Sequence, residues 1–234
     1  IVIRGGYGLY NFGDDALIVA LYQYLMNNGL SKKDVALMCV PSNYLNQQLD
    51  NPLLIDYNTI KSDISIDHLI YGGGTQFYSF DSHNARKVRD ILLKNPLSIF
   101  EKIKNRIILY RRSKYVENKF NIANYASHIY QIGVGVGPFS KTDSAVENKT
   151  ADLFKKSDFV SVRDIFAYNK CKDWGVTNVS QSPDLCYIMD VSAYSNKSNS
   201  IQNIAVIVRD WNHTGADKYY TQVSKFVEEY RKLG

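Results

Sequence analysis

Short apolar runs alternate with helical patterns along this 234-residue sequence, and this alternation strongly limits the folds it can adopt. Apolar runs predict strands, while apolar residues spaced three and four apart predict the helices between them. The predicted strands are Ile1–Ile3, Val35–Val40, one that ends with His68–Tyr71, Ile129–Val134, Phe159–Val162 and Asn203–Val208. The pattern predicts an α/β fold with a doubly wound, largely parallel sheet.

The first predicted helix covers Asp14–Asn28, with apolar residues repeating from Leu17 to Leu25. Asp14 and Asp15 fall in its first turn, where the helix dipole favours negative charge. Gly29 is the predicted end of the helix.

The composition excludes several classes of protein. With 45% hydrophobic and 22% charged residues, the chain can bury a sizeable core and is neither disordered, collagen-like nor a coiled coil. No apolar stretch is long enough to span a membrane. Three widely spaced cysteines without a C-x-x-C pattern predict neither a disulfide framework nor a zinc site. Metal ligands are not expected, and a reducing cytoplasm is the expected location.

The sequence predicts two domains. Residues 1–190 form the expected N-terminal α/β domain, and the Ser/Asn-rich segment 191–202 reads as a linker. Residues 203–234 contain one strand and one helix, which are too few to bury a core alone. Because the chain starts at Ile1 without methionine and stops just after a helical pattern, we expect a fragment with a truncated second domain.

Glycines are concentrated at the ends of predicted strands. Ten of the 14 glycines fall in three clusters, within 5–13, 72–74 and 133–137. The carboxyl ends of strands form the ligand crevice in doubly wound sheets, and glycine lets backbone amides approach a ligand there. Tight strand–helix turns would explain one such cluster, but three at one edge favour a binding site.

Positive charge is concentrated between Arg86 and Lys119, where 11 Lys/Arg accompany three Asp/Glu. Within this segment, 97–112 reads as an amphipathic helix with lysines and arginines beside its apolar face. Such a helix either contacts an anionic membrane surface or covers the protein's own core. No nucleic-acid-binding motif accompanies the charge, so nucleic acid is not an expected partner.

Familiar nucleotide-binding motifs do not fit. A dinucleotide fingerprint would need glycine where the chain has Asn11. The sequence from Gly135 resembles a Walker A loop, but Ser140 replaces its second glycine and Pro138 lacks an amide that would cradle phosphate.

Six loops together resemble the polysaccharide pyruvyl transferase family over nearly the full chain. They are Gly8-Leu-Tyr-Asn-Phe-Gly-Asp-Asp-Ala16, Tyr71-Gly-Gly-Gly-Thr75, Gly133-Val-Gly-Val-Gly-Pro138, Ser161-Val-Arg-Asp164, Ser182-Pro-Asp184 and Val208-Arg-Asp-Trp211. The resemblance implies transfer of pyruvate from phosphoenolpyruvate to sugar hydroxyls of cell-surface glycans, without a cofactor. It also implies a glycosyltransferase-B-like pair of α/β domains. The chain departs from the family at Ala167, where a serine is common.

Candidate site residues follow from these loops. Arg163 and Arg209 each follow a predicted strand, and guanidinium groups bind carboxylates and phosphates bidentately. Asp14, Arg163 and His213 are the candidate catalytic residues. The candidate substrate-binding residues are Asn11, Gly13, Gly73, Gly74, Gly135, Arg163, Asp184 and Arg209.

Structural roles compete with each of these assignments. Arg163 could instead form a surface pair with Asp164, and Asp14 could serve only the helix dipole. Asp184 could be a turn former, and His213 a surface residue. Two other functions also stay open: a nucleotide-sugar-dependent glycosyltransferase and a non-catalytic module that binds glycans or anions. Binding of phosphoenolpyruvate but not of nucleotide sugars would distinguish a pyruvyl transferase from a glycosyltransferase. Catalytic turnover would distinguish an enzyme from a binding module.

Overall fold

The computed structural model describes residues 1–8, 11–39, 43–56, 65–79, 118–142, 144–190, 192, 206 and 216–232. The chain forms two compact units, residues 1–190 and 191–234. The predicted linker 191–202 and strand Asn203–Val208 lie almost wholly outside the described residues, and so does the basic segment 97–112.

The first unit is built on one parallel sheet. Its strands are β1 (Val2–Arg4), β2 (Ala36–Cys39), β3 (Leu53–Asp56), β4 (Ile66–Gly72), β5 (Thr75–Phe77), β6 (Ala126–Val136), β7 (Phe159–Val162) and β8 (Val179–Gln181). They lie in the order β3-β2-β1-β4-β6-β7-β8, with β5 paired to β6. The described pairs are all parallel, which places the carboxyl ends of the strands at one edge of the sheet.

Four helices of this unit are described. They are α1 (Phe12–Asn27), α2 (Asn43–Gln48), α3 (Ala145–Lys156) and α4 (Ile165–Asp173). Helix α1 begins two residues earlier than predicted, and Gly29 follows its end with a positive φ of 93°. In the second unit, α5 covers Ala216–Arg231.

Both faces of the sheet are apolar. Alternate residues of β1 and β2 enter different buried clusters, so that Val2 and Met38 belong to one and Ile3 and Leu37 to the other. Helix α1 packs in the second cluster through Leu17, and α3 packs in the first through Phe154. Because side chains alternate across a strand, this arrangement is that of a doubly wound sheet. The predicted fold class is therefore confirmed, while the glycosyltransferase-B-like detail stays a prediction.

The prediction that each glycine cluster follows its strand is wrong in part. Gly72 is the last residue of β4, and Gly133 and Gly135 lie within β6. Gly133 has a φ of 60° between Gln131 and Val134, where the register of the β6–β7 pairing shifts. A side chain there would also collide with Leu185, whose Cγ would lie 2.9 Å from the added Cβ. Glycine therefore permits a β-bulge inside a long strand rather than a turn after it.

None of the described helices is long and apolar enough to cross a membrane.

Candidate active site

The candidate site lies at the carboxyl edge of the sheet, around the point where the strand order reverses. From β1 the chain runs outward through β2 to β3, then returns to place β4 on the other side of β1. Loops that follow two such strands diverge and leave a crevice, which is where open α/β sheets bind ligands. The loop after β1 leads into α1, and the glycine loop Gly72–Gly74 begins with the last residue of β4.

The glycine loop packs directly against the first turns of α1. Gly73 and Gly74 both have positive φ, at 62° and 69°. A Cβ on Gly73 would lie 3.0 Å from Leu17 Cδ1, and one on Gly74 would lie 2.9 Å from Asp14 Oδ1. Only glycine combines this backbone conformation with such close packing, so both predicted residues have a clear structural role.

Two neighbouring aspartates at the start of α1 have different surroundings. Asp14 is half-buried and accepts a hydrogen bond from Asn11 Nδ2 at 2.6 Å. Gly13, in the same first turn, is exposed. Asp15 is only 1% exposed, and its Oδ1 accepts the Gly8 amide at 2.8 Å. Burial raises the pKa of Asp15, opposed by the Gly8 hydrogen bond.

Arg163 follows β7, and its side chain lies near residues of three different segments of the chain. Its Nη1 donates to Asp184 Oδ2 at 3.0 Å, and its Nη2 donates to Thr75 Oγ1 at 2.8 Å. Its Nε lies 4.0 Å from Asp164 Oδ2, while the main role of Asp164 is to cap α4 by accepting the Ala167 amide at 2.7 Å. The Arg163 side chain is 30% exposed, so it is held by the protein yet partly accessible to solvent.

Gly135 makes room for this arginine. A Cβ on Gly135 would lie 3.1 Å from Arg163 Nε and 2.8 Å from Thr75 Oγ1. Its φ is not positive, so space rather than backbone conformation requires glycine here. The structure therefore gives Gly135 a role in seating Arg163, whereas the sequence suggested a direct contact with substrate.

The sequence model of the polysaccharide pyruvyl transferase family matches residues 11–233, which is nearly the whole chain. The chain belongs to this family. Membership confirms the resemblance that the six loops indicated and implies a polysaccharide as the acceptor. Neither the curated proteins nor the solved structures contain a match.

The departure of the chain from the common pyruvyl transferase pattern falls in the core. Ala167 is fully buried, and its methyl belongs to the apolar cluster around β7. Its amide is already used by the Asp164 cap. A serine hydroxyl here, as the resemblance implies, would therefore lie at a packing position beneath the start of α4, away from solvent.

A buried polar network behind the glycine loop was not predicted. Gln76 Nε2 donates to the Gly73 carbonyl at 2.8 Å, and Gln76 Oε1 accepts from Arg4 Nη1 at 3.4 Å. Lys119 Nζ donates to the Gln76 carbonyl at 2.9 Å. Burial, with the nearby positive charge of Arg4, lowers the pKa of Lys119 to about 8. Gln76 thus connects the glycine loop to two buried cations, Arg4 and Lys119.

The structure brings most of the predicted site residues to one edge of the sheet. Asn11, Gly13 and Asp14 lie at the start of α1, Gly73 and Gly74 pack against that helix, and Gly135 and Asp184 contact or support Arg163. Arg209 and His213 lie outside the described residues. Within the described part of the chain, no three metal-binding side chains come together as a site. Binding roles for all these residues stay predictions.

Proposed function

We propose that this chain transfers the pyruvyl group of phosphoenolpyruvate to sugar hydroxyls of a cell-surface polysaccharide or its lipid-linked precursor, forming a ketal. The observation that carries the proposal is the position of Arg163. Its guanidinium is fixed beside the glycine loop, at the carboxyl edge of the sheet, in a chain that belongs to the polysaccharide pyruvyl transferases.

Arg163 is the proposed receptor for the donor. Phosphoenolpyruvate carries a carboxylate and a phosphate, and the planar guanidinium can bind either group through two parallel hydrogen bonds. A guanidinium has five N–H donors, and the contacts to Asp184 and Thr75 occupy two of them. Among the residues that the structure describes, no hydrogen bond uses the other three donors, so they are available to an anion.

The reaction requires proton transfers and two bond-forming steps. A general acid protonates the methylene carbon of the donor, which becomes the methyl group and leaves a cation-like centre at the neighbouring carbon. One sugar hydroxyl attacks this centre and loses its proton to a base. A second hydroxyl of the same acceptor then attacks the same carbon as the phosphate leaves, and its proton passes to the departing phosphate, which completes the ketal.

Asp14 is the proposed ligand for the acceptor hydroxyl. Its carboxylate lies at the start of α1 and contacts Asn11, with partial exposure to solvent. A carboxylate accepts hydrogen bonds from hydroxyls and can take up a proton as one of them attacks. His213 stays a candidate for the second proton-transfer group.

We place the reaction in the cytoplasm, at the inner face of the membrane. The sequence feature behind this proposal is the three widely spaced cysteines, Cys39, Cys171 and Cys186, which form no C-x-x-C pattern or disulfide framework. The basic segment 97–112 would supply electrostatic contact with anionic lipid.

Replacing Arg163 with lysine tests the donor site. Lysine keeps the charge but cannot bind an anion bidentately, so Arg163→Lys in the full-length protein should lower kcat/KM for phosphoenolpyruvate at least about tenfold. The assay is pyruvyl transfer to a glycan acceptor, with circular dichroism as the control for folding. Arg231→Lys, at an exposed arginine in α5, is the matched control and should behave as wild type. Unchanged kcat/KM in folded Arg163→Lys would remove Arg163 from the donor site.

A further inference from the structure

Thr75 and Asp184 contact Arg163 from two different segments of the chain. Thr75 is the first residue of β5, directly after the glycine loop, and Asp184 follows β8. Each accepts one hydrogen bond from a different terminal nitrogen of the guanidinium, at 2.8 and 3.0 Å. The two contacts come from sequence positions 88 and 21 residues away from Arg163. Together they fix the plane of the guanidinium over Gly135, which a single contact could not do.

The carboxylate of Asp184 is itself held in place. Its Oδ1 accepts the Cys186 amide at 3.1 Å and caps the 3-10 turn Leu185–Ile188. Leu185 is buried in the same apolar cluster as Leu17 of α1. The Asp184 oxygen that accepts from Arg163 therefore belongs to a carboxylate anchored to the core.

Thr75 is held by backbone contacts. The Gly135 amide donates to the Gly74 carbonyl at 2.9 Å, immediately before Thr75. Thr75 and Gly135 are also partners in the β5–β6 pairing. The Thr75 hydroxyl therefore projects from a paired strand. Thr75 also links the glycine loop, which it follows directly, to Arg163.

We propose that Thr75 and Asp184 are positioning residues that hold the Arg163 guanidinium in the orientation needed to bind the donor anion. The inference rests on the proposed function, because it assumes that Arg163 binds phosphoenolpyruvate. Neither residue has to touch substrate. Their effect is to remove the rotational freedom of a long side chain before the donor arrives, which lowers the cost of binding.

Charge neutralisation by Asp184 predicts the opposite effect on donor binding from positioning, so an experiment can distinguish the two. A carboxylate paired with Arg163 reduces the positive charge that a donor anion meets. If neutralisation were its main effect, removing the charge of Asp184 would strengthen donor binding. If positioning is its main effect, removing the charge weakens donor binding.

The experiment compares Thr75→Val, Thr75→Ser and Asp184→Asn in the full-length protein. Valine keeps the shape of threonine without the hydroxyl, whereas serine keeps the hydroxyl. Arg163 and the Cys186 amide donate to different oxygens of Asp184, and asparagine replaces one of these oxygens with an NH2 donor, so in the present geometry it loses one of the two contacts. Thr150→Val, which removes a buried hydroxyl that donates to the Val146 carbonyl in α3, is the control for threonine. Asp50→Asn, which breaks a surface pair with Lys32, is the control for aspartate.

Thr75→Val and Asp184→Asn should each raise KM for phosphoenolpyruvate about tenfold and leave KM for the glycan acceptor unchanged. Thr75→Ser should restore most of the loss, and both controls should match wild type. Thr75→Val should add little to the defect of Arg163→Lys, because the two residues act as one unit. A merely structural role would change both KM values and would add to the Arg163→Lys defect.

Three results would overturn the inference. Wild-type KM for the donor in Thr75→Val and Asp184→Asn, beside a defective Arg163→Lys, rejects positioning while leaving the proposed function intact. Tighter binding of phosphoenolpyruvate by Asp184→Asn shows that the carboxylate only neutralises Arg163. An unaffected Arg163→Lys removes the donor site itself. If Asp184→Asn does not fold, the Thr75→Val and Thr75→Ser pair decides alone.

Discussion

Lys119 is a cation that the fold buries almost completely, at 3% exposure. Burial and the charge of Arg4 lower its pKa to about 8, from an ordinary value of 10.5. Between these two values the unfolded chain binds more protons than the native protein, so stability rises with pH across this window. The shift corresponds to about 3 kcal/mol at most, gained as pH rises from about 8 to about 10.5.

Lys119→Met should reveal this dependence. The variant removes the titrating group, whereas the wild type gains stability as Lys119 loses its proton. The free energy of unfolding of Lys119→Met minus that of wild type should therefore decrease as pH rises from about 8 to about 10.5. Denaturant unfolding at a series of pH values measures the difference. Lys33→Met, at an exposed lysine, is the control for loss of one positive charge. A difference between Lys119→Met and wild type that stays constant across this range would contradict the burial of a charged lysine.

At the scale of residues, sequence patterns predicted which residues lie at one edge of the sheet better than the contacts that each side chain makes. Arg163 was chosen because it follows a predicted strand, but its contact with Thr75 crosses 88 residues and no local pattern predicts it. Asp14 was chosen over Asp15, although Asp15 is the buried carboxylate of the two. Spacing alone does not separate the two, because Asp14 precedes buried Leu17 by three residues just as Asp15 precedes buried Ile18.

At the scale of elements, the strands with buried apolar runs were predicted, and β3, β5 and β8 were missed. The strands β3 and β8 end the sheet on either side and have no buried side chain among those described, while β5 has only three residues. They form because neighbouring strands supply hydrogen-bonding partners, as when β5 pairs with β6. The sheet therefore determines these strands through tertiary contacts, which local sequence cannot show.

The basic segment gives a prediction at the same scale. If 97–112 contacts anionic lipid, the full-length protein should bind vesicles containing phosphatidylserine, and binding should weaken as salt is raised. Arg111→Glu with Arg112→Glu should reduce binding further, because it reverses two charges. Sedimentation with vesicles measures the bound fraction, and neutral phosphatidylcholine vesicles are the control. Salt-independent binding, or none, would leave the segment as a helix that covers the protein's own core.

At the scale of the whole molecule, strand–helix alternation predicted the parallel, doubly wound sheet because each unit must bury its apolar face locally. The strand order was not predicted. It places the reversal between β1 and β4, and so determines which glycine clusters become neighbours. We propose that the two compact units, residues 1–190 and 191–234, correspond to two domains.

The most direct test of a pyruvyl transferase assignment follows both products of the reaction. The full-length protein is incubated with carbon-labelled phosphoenolpyruvate and a glycan acceptor, and label in the glycan is compared with released phosphate. We predict one phosphate for each pyruvyl group transferred, with the label in an acid-labile ketal. Phosphate release without label in the glycan, or transfer of sugar from a nucleotide sugar instead, would contradict the assignment.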